Sequence, residues 1–188
     1  ELNQVFFDDV RVPKVNRVGD ENDGWSVAKY LLEFERFSMG SVELRRGLGR
    51  VQALAKLTRG DGLSLNDEPG FIQKLAALQV DAIALEVSEQ RVLANLGAGK
   101  RPGAVSSVLK NRYAEVLQRA DMLGVEAAAY YAYPFQPAAL ELGSNQAPVG
   151  PELALTLMPT YLSNRMKTIA GGSSEIQRNI VAKAILGL

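Results

Sequence analysis

An all-α fold, a helical bundle close to a four-helix bundle, follows from three observations in the 188-residue chain. Apolar residues recur at spacings of three and four over long segments, and clusters of glycine, proline and aspartate separate those segments. The one strand-like run lies at the start. Helices that are each apolar on a single side can cover those sides only by packing together. The expected organisation is a short β remnant and linker over residues 1–23 and a helical bundle over 24–188.

The chain opens with Glu1 and passes directly into Val5-Phe6-Phe7-Asp8-Asp9-Val10-Arg11-Val12-Pro13. A lone short strand pair is marginal in water, so this run is expected to belong to a sheet completed elsewhere in a larger protein. A polar turn from Gly19 to Gly24 leads into a long helical pattern from Trp25 to about Lys56, with the stripe Ala28, Leu32, Glu35, Met39 and Val42. Thr58 to Gly70 is rich in breakers and reads as a loop. A second helix begins at Phe71 and carries Phe71, Leu75, Leu78, Ala82, Leu85, Val92 and Leu96 on one face, stopping at Gly97-Ala98-Gly99. A third follows Pro102, with Val105, Leu109, Tyr113, Val116, Ala120, Leu123 and Ala127 in register.

Five prolines between Tyr130 and Pro159 predict an irregular excursion with short helical turns. A short helix around Tyr161 to Ile169 then precedes Gly171-Gly172-Ser173-Ser174-Glu175-Ile176-Gln177. Ser174 and Gln177 have the spacing of a capping box, and Ile176, Ile180, Ala184 and Leu188 fall on one face of the final helix. A helix start behind two glycines can hold an anion or a polar ring edge, although ordinary capped helices are the commoner case.

Composition narrows the chemistry. The 21 basic and 21 acidic residues balance, which gives no sign of a nucleic-acid partner or an anionic membrane. Without cysteine or histidine, the common zinc sites and any Ser-His or Cys-His catalysis are excluded. Carboxylates, lysines, tyrosines and bound cofactors remain for acid-base work. No metal site is expected, and no apolar run long enough to span a membrane occurs, so a cytoplasmic location is the expectation.

Glu35 most needs explanation, because it interrupts an apolar stripe. Such a carboxyl is either paired structurally, with Arg36 or another helix, or serves as a general base in an apolar pocket. Arg45, Arg46 and Arg50 could meet a phosphate, yet a solvated helix face is commoner. The aromatic cluster Tyr130-Tyr131-Ala132-Tyr133 reads first as packing under a loop, and Asp8-Asp9 and Asp20 to Asp23 read as turn chemistry.

Glu1 to Pro13, Gly19 through Gly24-Trp25, Phe34-Glu35-Arg36 and Gly171 to Ile180 together, in this order, resemble the C-terminal half of an acyl-CoA dehydrogenase. The resemblance implies the last strands of a central β-domain and its linker over 1–23 and the C-terminal helical bundle over 24–188, with roughly the first half of the subunit outside this chain. It implies FAD as cofactor, an acyl-CoA thioester as substrate, electron-transfer flavoprotein or a similar acceptor, and a homo- or hetero-oligomer, dimeric or tetrameric. The reaction would be α,β-desaturation.

One family position for the catalytic glutamate corresponds to Gly171, which cannot act as a base; the other matches Glu35. Gly172, Ser173 and Glu175 match flavin-contacting positions of the terminal motif, and Gln73 matches a flavin-contacting glutamine of the second helix. No Arg-x-x-Phe-Gly lies between the first two helices, and Gln118 to Gly124 departs from Gln-x-x-Gly-Gly. These departures resemble a divergent branch of the pimeloyl-CoA type, or heteromeric enzymes in which one subunit type has lost part of the flavin site. Two readings therefore stand: the C-terminal part of a catalytic subunit, inert alone, or of a non-catalytic partner subunit. A plain helical interaction module would leave the ordered motifs unexplained.

Overall fold

A computed structural model of the chain describes residues 3–36, 40–57 and 62–188. Its helices are α1 (Gly24–Glu35), α2 (Gly40–Ala55), α3 (Pro69–Gly97), α4 (Val105–Ala128), the one-turn α5 (Pro137–Leu140), α6 (Leu157–Ser163) and α7 (Ser174–Val181). Three long helices, α2, α3 and α4, enclose the main core. Leu44, Leu48 and Val51 of α2 meet Leu75, Leu78 and Leu85 of α3 and Val116, Ala120 and Leu123 of α4. A second, smaller cluster joins Leu54, Val125 and Ala128 to Ala132, Ala154 and Leu157, seating the excursion and α6 on the end of the bundle.

The single helix expected from Trp25 to Lys56 is two helices, α1 and α2. The apolar phase resets between them: α2 buries Ser41, Leu44, Leu48, Val51 and Ala55, while Val42, on the expected stripe, is exposed. Gly40 begins α2 against the ring of Tyr113, and a Cβ there would run into that ring. The stripe member Met39 lies outside the described residues.

No strand occurs among the described residues, which hold no partner strand for the expected β remnant; Phe6 and Phe7 are exposed. A strand without neighbours has no ladder to hold it. Of the 1–23 and 24–188 division, the helical part begins at Gly24, at the end of the polar turn.

The α3 stripe is seen as read, with Phe71, Leu75, Leu78, Leu85 and Val92 buried and Ala82 and Leu96 half-buried against the core. Within that stripe sits Glu89, only 2% exposed. Both of its carboxyl oxygens accept the Ser41 backbone N–H at 3.3 Å, and one also accepts the Ser41 hydroxyl. Glu89 thus caps the start of α2 from another helix, where free N–H groups and the helix dipole favour a carboxylate. On the solvent side, Asp81 of α3 accepts from Arg112 and Arg119 of α4, the latter at 2.6 Å.

Burial tends to raise the Asp81 carboxyl, but the two guanidiniums outweigh it and hold it below the usual carboxylate range. A carboxyl lowered in the folded state adds stability above its unfolded value, roughly 3.9, and that contribution is lost as pH falls through the lower folded value. Asp81→Asn is therefore expected to cost no more than about 1 kcal/mol at neutral pH, since both arginines are about half exposed, and progressively less in acid. Denaturation midpoints of wild type and variant at neutral and acidic pH check this; a gap that widens in acid contradicts it.

The excursion after α4 is irregular, with short turns, as its prolines predict. It is held by Gln136, whose Oε1 accepts the Val149 N–H at 2.7 Å, and by the Tyr131 ring lying against Gly150. The final helix departs from expectation. Its buried residues are Ser174 and Gln177, whereas Ile176 and Leu188, on the face expected to pack, are exposed. Polar bonds to α4 and to the preceding turn hold α7, which widens into a π-helical turn over Ala182–Leu186. No described helix is long and apolar enough to cross a membrane.

Candidate functional site

The turn before α7 is built from two successive left-handed residues, Gly171 at φ +73° and Gly172 at φ +98°, a conformation that glycine adopts without a Cβ penalty. A Cβ on Gly172 would also press on the Gln177 amide at 2.6 Å, whereas the corresponding side of Gly171 is open. Ser173, not Ser174, caps the helix: its hydroxyl accepts the Ile176 N–H at 3.4 Å. The expected Ser174–Gln177 capping box does not form, because with Ser173 as the cap its third helical residue is Ile176, which has no side-chain acceptor to complete it. Ser174 donates its hydroxyl to Thr168 O, and the fully buried Gln177 donates to Gly171 O at 3.0 Å and Gly172 O at 3.2 Å.

Helix α4 grips this turn from below. Lys110, 8% exposed, donates its Nζ to Gly172 O at 2.7 Å, and Asn111 donates to Ser174 O at 3.2 Å. Burial pushes the Lys110 ammonium below its ordinary pKa; Glu175 opposes that push and Arg36 adds to it. Glu175, exposed at the first turn of α7, is held below the usual carboxylate range by its own backbone N–H, with help from the Ser173 hydroxyl.

Glu35 ends α1, and Arg36 is its C-cap. Helix α1 packs against α4, the helix that also carries Lys110. Glu35 itself is exposed, with no hydrogen-bond or ion-pair partner among the described residues. The apolar burial expected from its stripe is absent, because α1 contributes no buried residue. Nor does it pair with Arg36, whose Nε is buried without a partner.

Gln73 stands apart. It is exposed near the start of α3 and lines a cleft of about 920 Å³ with Gln118, Arg119, Met122 and Arg165. The cleft is also lined by Glu115, which pairs with Arg178 of α7 at 3.2 Å, but no hydrogen bond joins Gln73 to Gly172, Ser173 or Glu175 among the described residues. Of the arginines singled out earlier, Arg45 pairs with Glu86, and Arg50 donates to Thr156 at 3.0 Å. Of the tyrosines, Tyr131 packs on Gly150 while Tyr130 and Tyr133 are exposed. Lys110 went unread in the sequence and Gln177 was read only as a capping-box partner, since a lysine and a glutamine on helices normally face water; a clue to Lys110 was available only in its following Leu109 on a buried face.

Helices packed around one core and a glycine turn feeding a capped helix make this an all-α bundle domain. The sequence model of the acyl-CoA dehydrogenase C-terminal domain matches residues 22–186, and the chain belongs to the acyl-CoA dehydrogenase family. Among curated relatives, acyl-CoA dehydrogenase IpdE1 of Mycolicibacterium smegmatis is 32% identical across all of this chain and 43% of its own length. IpdE1 of Mycobacterium tuberculosis is 30% identical over all of this chain and 44% of its own. Among solved structures, the ChsE4-ChsE5 complex from Mycobacterium tuberculosis superposes with a TM-score of 0.76 at 26% identity, covering 97% of this chain and 45% of that one. The chain thus spans less than half the length of the relatives it matches.

Proposed function

We propose that the complete protein is an FAD-dependent acyl-CoA dehydrogenase that desaturates the α,β bond of an acyl-CoA thioester, with Glu35 as the base. The reading is supported by the match of residues 22–186 to the family's C-terminal domain and by the packing of both α1, which ends in Glu35, and α7, which follows the Gly171-Gly172 turn, against α4. The turn fits a flavin edge: Gly171 offers an open side without a Cβ, Gly172 permits close backbone approach, and Ser173 and Glu175 present polar groups beside it. Gln73 would serve the cofactor only through another part of the assembly. Residues 1–23 would join the sheet of a preceding β-domain, which would cover exposed Phe6 and Phe7.

Bound FAD would supply the acceptor for the β hydride. Glu35 would take the α proton, and the electron pair of that C–H bond would become the new π bond as the β hydride departs. A carboxylate acting on carbon needs walls that exclude water. Glu35 is exposed here, so those walls would come from the rest of the subunit and the substrate, and the chain alone is expected to be inert. Electron-transfer flavoprotein or a similar acceptor would reoxidise the flavin. A homo- or hetero-oligomer, dimer or tetramer, in the cytoplasm completes the reading.

The departures from Arg-x-x-Phe-Gly and Gln-x-x-Gly-Gly favour a second reading, a partner subunit without its own catalysis in a heteromeric enzyme. The visible spectrum of the complete, assembled protein separates the two. Bound oxidised flavin in the sites that contain Glu35 is expected; an assembled protein without flavin there supports the partner-subunit reading instead.

A further inference from the structure

We infer that Lys110 is a positioning residue for the cofactor-facing turn, its buried ammonium fixing the Gly172 carbonyl to the rigid bundle; this rests on the flavin reading above. Two adjacent glycines leave the turn many conformations, and nothing in their own covalent structure selects the observed one. Gln177 bonds both glycine carbonyls, but it belongs to the same terminal segment and moves with it. Lys110 and Asn111 are different, because they tie the segment to α4, whose neighbours Leu109, Tyr113 and Ala114 are buried in the bundle.

Burying an ammonium is costly unless a good acceptor compensates, and Lys110 has no carboxylate within ion-pair distance among the described residues. Its bond to Gly172 O is the compensation seen in this chain. Glu175 beyond the turn attracts the ammonium and Arg36 repels it. A methionine could fill the same space but would leave Gly172 O without its bond to α4. Lys110 is thus the fastening between the rigid core and the flexible backbone that faces the cofactor.

The test uses the complete protein with Lys110→Met and Lys110→Arg. Lys110→Met is expected to weaken flavin binding about 10-fold to 100-fold, the loss of one charge-assisted bond, and to speed amide exchange at residues 171–175 while helical content stays unchanged. Lys110→Arg, which keeps a charged donor, is expected to recover most of both properties. Wild-type flavin affinity and exchange in Lys110→Met would overturn the inference, as would equal loss in both variants in step with global unfolding. If Lys110→Met does not assemble, Lys110→Gln replaces it, and wild-type exchange in that variant overturns the inference equally. Failure of the flavin reading is recognised separately: wild type would then hold no flavin, while amide exchange would still report whether Lys110 fastens the turn.

Discussion

Glu35→Gln in the complete protein is expected to slow flavin reduction by an acyl-CoA about 100-fold to 10,000-fold, the range for removal of a positioned general base. Glutamine keeps the size and one acceptor oxygen of glutamate but cannot accept the α proton. Flavin content and thioester affinity should change little, because Glu35 bonds to no other described residue and ends a helix that buries none of its side chains. Rapid-mixing measurements of flavin absorbance separate the reduction step from binding and product release. Reduction at the wild-type rate would remove Glu35 as the base; Gly171 at the other family position could not replace it.

The largest stability effect is expected at Glu89. Glu89→Ala should destabilise the bundle by about 3 kcal/mol or more, since it leaves the Ser41 N–H and hydroxyl buried without an acceptor and opens a cavity between α2 and α3. Against a total stability of about 5–15 kcal/mol that is a large share. Glu89→Gln retains an acceptor oxygen and should cost much less. Urea titration followed by helical circular dichroism checks both; an Ala variant as stable as wild type would mean that Ser41 finds another acceptor.

Periodicity made α3 and α4 legible, because each packs a continuous stripe against the core. The α3 stripe read from Leu85 to Val92 passes over Glu89, and that omission had a signal: a polar residue at the core position midway between two buried ones. Periodicity also ran too far. The stripe through Glu35, Met39 and Val42 assumed unbroken helical phase, whereas α1 ends at Glu35 and Gly40 of α2 lies against the Tyr113 ring, a contact made across the bundle.

The terminal helix shows a further limit. Its expected apolar face ran on to Ala184 and Leu188, whereas α7 ends at Val181 before a π-helical turn, and in this chain the side toward α4 is the polar one. The glycine turn and its cap were legible to within one residue. Lys110, which holds the turn from a residue 62 positions earlier, required the fold to bring the two together. Glu35 was singled out for an apolar setting that this chain does not provide, because α1 buries none of its residues here.

The most direct test of the proposed chemistry is anaerobic addition of a panel of acyl-CoA thioesters, differing in chain length and branching, to the complete flavin-loaded protein. Loss of oxidised-flavin absorbance with at least one thioester, matched by formation of its trans-2-enoyl-CoA, is the expected result. Flavin that stays oxidised with every member of the panel would contradict it.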